Sequence, residues 1–146
     1  MNKFNFFLLV PFIGILFSCD NNDKIIPPNN NCDKELIMSK DLYENAPSDP
    51  LTIESTELNG NCLTINFYAG GCDGSTWKYE LIGDPRSILE GPVHHNIRLS
   101  LEDNELCEAI IRKEVSFDLN PALSSENLVI LTLTNNDEEI VYDLNK

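Results

Sequence analysis

Four segments of the chain alternate apolar and polar residues with a period of two, and this constrains the fold more than anything else in the sequence. Leu63, Ile65 and Phe67 interleave with Cys62, Thr64, Asn66 and Tyr68. Trp77, Tyr79 and Leu81 interleave with Thr76, Lys78 and Glu80. Ile97, Leu99 and Leu101 do so with Arg98, Ser100 and Glu102, and Val115, Phe117 and Leu119 with Glu114, Ser116 and Asp118. Successive side chains of a strand point to opposite faces, so each run puts one set into a core and the other toward water. Leu128 to Leu133 is continuously apolar but for Thr132, which predicts a strand covered on both faces. Ile140, Tyr142 and Leu144 predict a last strand.

Turn-forming residues separate these runs. Asn59-Gly60 is a hairpin signal, because both residues tolerate positive φ. Gly70-Gly71 with Asp73-Gly74 predicts the next reversal, and Gly83-Asp84-Pro85 and Gly91-Pro92 bracket a longer loop. Asp103-Asn104-Glu105 and Asn135-Asn136-Asp137 predict two more turns. Short strands at this spacing predict a small antiparallel β-sandwich over residues 32–146, immunoglobulin-like, with about seven strands. Leu106, Ala109 and Ile110 have near-helical spacing, but the β-branched Ile110, Ile111 and Val115 favour a strand. Asp41 to Ala46 fits one helical turn or a loop.

The chain has 146 residues, 42% of them hydrophobic and 23% charged. That is one domain of material, too little for a multidomain enzyme or a multi-span transporter, and too apolar for a disordered polymer. Acidic residues number 24 against 10 basic, a net charge of −14. Binding to bare nucleic acid is thereby disfavoured, since phosphate contacts need clustered Lys and Arg.

Residues 1–18 read as a signal peptide. Lys3 precedes an apolar stretch from Phe4 to Phe17, shorter than the ~20 residues a membrane span needs. Leu16-Phe17-Ser18-Cys19 resembles the lipobox of bacterial lipoproteins, although Phe17 is bulkier than usual at its position. The resemblance implies cleavage before Cys19 and its lipidation, a membrane anchor without a membrane span. Asp20-Asn21-Asn22-Asp23 is similar to the acidic stretch that marks surface export in Bacteroidetes-type lipoproteins. In enteric bacteria an Asp after the Cys favours the inner membrane instead; the Asn-rich, acidic composition fits the former group. The expected location is the cell envelope, at the outer membrane and in reach of the cell surface. Pro27-Pro28 within residues 19–31 predicts an extended tether. Processing removes Lys3 and no acid, leaving 9 basic against 24 acidic residues, a charge of −15. An anionic leaflet repels such a domain, so lipid is expected as anchor and not as ligand.

With Cys19 lipidated, Cys32, Cys62, Cys72 and Cys107 remain, an even number in an exported protein, which predicts two disulfides. Cys62 and Cys72 flank one expected strand over residues 62–69, ~20 Å apart and out of bridging range. Of the two remaining connectivities, Cys32–Cys62 with Cys72–Cys107 is favoured. It ties the end of the tether to the Asn59-Gly60 hairpin and the Gly-Gly-Cys turn to the start of a later strand. No CxxC spacing supports a metal site.

Tyr43-Glu44-Asn45-Ala46-Pro47-Ser48-Asp49-Pro50-Leu51, Gly70-Gly71-Cys72-Asp73-Gly74, Glu105-Leu106-Cys107-Glu108-Ala109 and Ser116-Phe117-Asp118-Leu119 together resemble a group of short Bacteroidetes lipoproteins. The resemblance spans most of residues 32–146. It implies the envelope location and the Cys72–Cys107 pairing, and carries over no catalytic residue.

Catalytic signatures such as GxSxG, HExxH or a P-loop are absent from the sequence. His94-His95 is the one histidine pair; it follows Gly91-Pro92, which predicts an exposed loop, and on a strand adjacent residues face apart. Asp103 with Glu105, and Asp137 with Glu138 and Glu139, are carboxylate pairs of the kind a chain with 24 acids forms by chance. Asp73-Gly74-Ser75 and Asp103-Asn104-Glu105 are candidate calcium loops, but neither has EF-hand spacing and both use ordinary turn residues. Trp77 alternates in phase with the core, while Tyr68 falls on the other phase and is the better aromatic for contact. No cofactor is expected, and no catalytic or metal-ligating residue is assigned. The expectation is a membrane-anchored, non-catalytic binding or structural module with a basic protein partner. The alternatives are an inhibitor of a hydrolase, such as a basic lysozyme, and a small secreted enzyme.

Overall fold

A computed structural model describes residues 32–86, 91–123 and 127–145. The expected signal peptide, Cys19 and tether lie outside the described residues. The elements in order are β1 (Lys34–Glu35), β2 (Ile37–Met38), α1 (Lys40–Asn45), β3 (Thr52–Asn59), β4 (Cys62–Gly71), β5 (Lys78–Gly83), β6 (Val93–Glu102), β7 (Ala109–Asp118), β8 (Leu128–Leu133) and β9 (Glu138–Asp143). They form two sheets, β1-β7-β4-β3 and β2-β5-β6-β8-β9. Seven of the strands have six or more residues, matching the expected sandwich.

The alternating residues close the core as anticipated. Ile65 and Phe67 from β4, Phe117 from β7, Leu99 from β6 and Leu131 from β8 are all buried within one cluster. Trp77, at the mouth of β5, packs on Phe67 with ring centroids 6.3 Å apart. The chain crosses between the sheets at Leu36, whose side chain is buried and whose N–H donates to the Asp118 carbonyl. β1 and β2 thereby run beside an edge of each sheet.

Pairing is more mixed than expected. Four strand pairs are antiparallel, but β1–β7, β2–β5 and β6–β8 are parallel. Between β6 and β8 the chain passes through β7 in the opposite sheet, so it reverses twice before returning. Side-chain periodicity carries no information about such reversals. Gly70-Gly71 is not a turn but the end of β4, opposite Ile110 and Ala109. The turn of the β3–β4 hairpin is Gly60-Asn61, one residue later than expected, with Gly60 at φ +62°. β8 is not covered on both faces: Val129, Leu131 and Leu133 are buried, Leu128 is exposed and Ile130 half-buried.

Helix α1 is one and a half turns, capped at its start by the Ser39 hydroxyl accepting from Leu42 N–H. At its end the Arg98 guanidinium donates to the carbonyls of Leu42, Tyr43, Ala46 and Pro47. The Leu42 carbonyl also accepts from Ala46 N–H, and one side chain from β6 gathers it with the three carbonyls at and beyond the helix end.

Candidate functional site

At one end of the sandwich the loops 72–77 and 103–108 are joined by the Cys72–Cys107 disulfide, with Cα atoms 4.8 Å apart. Their second connection is the Glu105 carboxylate. One oxygen accepts from the backbone N–H groups of Cys72, Asp73 and Gly74; the other accepts from Thr76 N–H and, at 3.0 Å, from the Thr76 hydroxyl. Consecutive N–H groups turned to one side make a concave anion site, and here the chain's own carboxylate fills it. Burial alone pushes the Glu105 carboxyl up, but the N–H groups of Cys72, Gly74 and Asp73 and the Thr76 hydroxyl outweigh it and hold the pKa at about 2.

Two glycines make room for this arrangement. A Cβ on Gly71 would lie 2.7 Å from the Trp77 ring and 2.8 Å from the Glu105 carboxylate. Gly74 has φ +68°, and a Cβ there would meet the Lys113 stem at 2.7 Å. Asp103 accepts from Glu105 N–H at 2.8 Å and Asp49 accepts from Asp103 N–H at 2.7 Å, fixing the second loop from below. Between the pinned Glu105 and the bridged Cys107 stands Leu106, 99% exposed. Ile110, at the adjoining start of β7, is 62% exposed.

The other residues singled out in the sequence are dispersed. His94 and His95 do not lie in an exposed loop; β6 begins at Val93 and includes both. As neighbours on a strand they face apart: His94 Nε2 meets the Thr132 hydroxyl at 2.6 Å, while buried His95 meets the Asp84 carbonyl through Nδ1 at 2.9 Å. The Asp84 carboxylate is gripped by Arg86, whose hydrogen bonds hold its pKa down against burial. Glu138 accepts from the Thr56 hydroxyl and from Asn136, so it serves the turn and not a paired-acid site. Tyr68 is half-buried under the Arg112 guanidinium, 5.7 Å from the ring centroid. Among the described residues no three His, Cys, Asp or Glu side chains are grouped to hold a metal. Cys32 and Cys62 are bridged, Cα atoms 5.5 Å apart, at the opposite end of β4 from Cys72.

Sequence reasoning missed three residues. In the sequence Glu105 stands as one turn acid among many, Leu106 as part of a near-helical spacing, and Arg98 as the polar phase of a strand. A usable signal existed for Leu106: a large apolar residue placed between a turn acid and a bridged cysteine has no strand phase to bury it.

No protein-family model matches the chain, and no curated protein matches it. Solved structures share the fold. A NigD-like immunity protein from Bacteroides caccae superposes with a TM-score of 0.54 at 14% identity, over 75% of this chain and 57% of that one. A protein of unknown function from Bacteroides vulgatus does so with a TM-score of 0.50 at 16% identity, over 75% of this chain and 54% of that one. The chain thus spans little more than half the length of either.

Proposed function

We propose that this protein is a non-catalytic binding module, held by lipid on Cys19 at the outer membrane of the cell envelope, that captures a protein with a basic surface. One observation carries this reading: the side chains best suited to chemistry are each bonded to the fold and not to one another. Glu105 is spent on the loop amides, His94 on Thr132 and His95 on the Asp84 carbonyl. A general base needs a reacting group within reach, and these three have structural partners there instead. The NigD-like immunity protein sharing the fold supports binding over catalysis, and the acid surplus supports a basic partner.

The full chain should hydrolyse none of a broad panel of glycosides, esters and peptides. A robust activity that disappears when His94 and His95 are replaced together by alanine would replace this reading with an enzyme. Retention of a basic envelope protein should weaken as salt rises, because the attraction is screened within ~8 Å at physiological ionic strength. For the anchor, a palmitate analogue fed to producing cells should label the wild type and leave Cys19→Ala unlabelled. Equal labelling of both would sink the lipidation.

A further inference from the structure

From the geometry of the bridged end we infer that Leu106, flanked by Ile110, is a preformed anchor that inserts into an apolar pocket, rimmed by lysine and arginine, on a partner protein. The inference rests on the binding-module reading and gives that module its contact surface.

Among the described residues, Leu106 and Ile110 are the two most exposed large hydrophobic side chains, at 99% and 62%. Cys107 is bonded to Cys72, and Ala109 pairs with Gly71, so both stand at the same end of the sandwich. Across from Ile110 lies exposed Gly70, where a Cβ would find nothing within 4 Å, so the flank of Ile110 is bare. An exposed leucine adds nothing to folding, yet the backbone on both sides of this one is fixed, by the Glu105 carboxylate and by a disulfide. Fixing an apolar side chain before contact removes the ordering cost of binding, and central apolar anchors seated in pockets dominate interface energies.

The charge around the anchor selects the pocket's rim. Glu105 is spent on the loop amides and Asp103 on Glu105 N–H, but Asp73 and Glu108 stand exposed on the two loops, and Lys113, the cation beside them, is drawn onto the Asp73 carbonyl and the Trp77 ring. The acid surplus of the chain disfavours an anionic lipid surface and so selects protein over lipid. Cys32 is bridged to Cys62 at one end of β4, whereas Gly71 at the other end precedes Cys72, which is bridged to Cys107 beside Leu106. Ten strand residues separate them by roughly 30 Å at ~3.3 Å each. Leu106 thus stands at the end of the sandwich opposite Cys32.

The test uses the full chain in producing cells, with a benzoylphenylalanine photo-crosslinker as the probe. It replaces Leu106, Ile110 or, as control, Val141, which is 54% exposed on β9. Irradiation should join one protein to positions 106 and 110 and not to 141. The crosslinked peptide should map to an apolar pocket edged by Lys and Arg. Leu106→Asp should weaken retention of that purified protein ~10-fold or more without moving the thermal midpoint, and Leu106→Met should retain it. Adducts to lipid, to a second copy of this chain, to an acidic protein, or equally from position 141, would overturn the inference. Unchanged retention by both Leu106→Asp and Ile110→Asp would remove the anchor and leave the binding module standing. If no variant, nor the wild type, retains any protein at low salt, the binding reading itself fails.

Discussion

Glu105 is an acid that the fold turns inward on its own amides. Five donors converge on its carboxylate, which is held at about 2, well under its ordinary 4.5. A carboxyl with a depressed folded-state pKa stabilises the fold above its unfolded value, and that contribution is lost as pH falls through the folded value. Glu105→Gln should accordingly melt earlier than wild type at pH 7. The gap between the two melting temperatures should close as pH falls from about 4.5 to about 2. A gap of constant size would show that the loop amides do not need the negative charge. Nothing in the local sequence distinguishes Glu105 from the chain's other acids. Its role comes from Cys72, Asp73, Gly74 and Thr76, some thirty residues earlier.

At the level of elements, β4 organises the molecule. It pairs with β3 on one side and β7 on the other, and each of its ends adjoins a disulfide. Replacing Cys72 and Cys107 together by alanine should lower stability by about 2–5 kcal/mol, read as a shift in the urea midpoint. Phe67→Ala should cost a comparable ~3–5 kcal/mol by a different route, an unfilled volume beside Trp77 and Tyr79. A loss under ~1 kcal/mol in either would mean that β4 is less central than its pairing implies.

The inner faces of β4, β6 and β7 were legible from alternation alone, because burial there follows the strand period. β3 was not: a bulge between Ile53 and Ser55 shifts its phase midway, so Ile53 and Leu58 fall on no single alternation. β1 and β2 have two residues each, too few for any period. Gly70-Gly71 read as a turn because glycine serves both positive φ and close approach. At Gly71 the reason is Trp77 and Glu105, neither of them local to it in the folded strand. The disulfide pairing was partly legible: strand length excluded Cys62–Cys72 and left two connectivities, and the resemblance favoured the Cys72–Cys107 pairing that forms. The use of Leu106 was not, because exposure is a property of the assembled end and not of the residue.

For the whole molecule, the two bridges define which parts of the chain bear tension. Pull on Cys32 from one side and on Leu106 from the other. The covalent line between them runs through one disulfide into Cys62, along β4 to Cys72, and through the second disulfide to Cys107. Residues 33–61 and 73–105 hang off that line and carry no load along it. β4 is already extended, so it has almost no slack to give. In a single-molecule pulling experiment with handles at these two positions, the oxidised protein should release no contour length. Reduced, the same chain should release on the order of 200 Å, since ~3.5 Å per residue becomes available across the whole interval. Pulled between these two points, the domain would thus behave as a short inextensible strap, its ability to hold under strain set by redox state and not by the depth of its hydrophobic core.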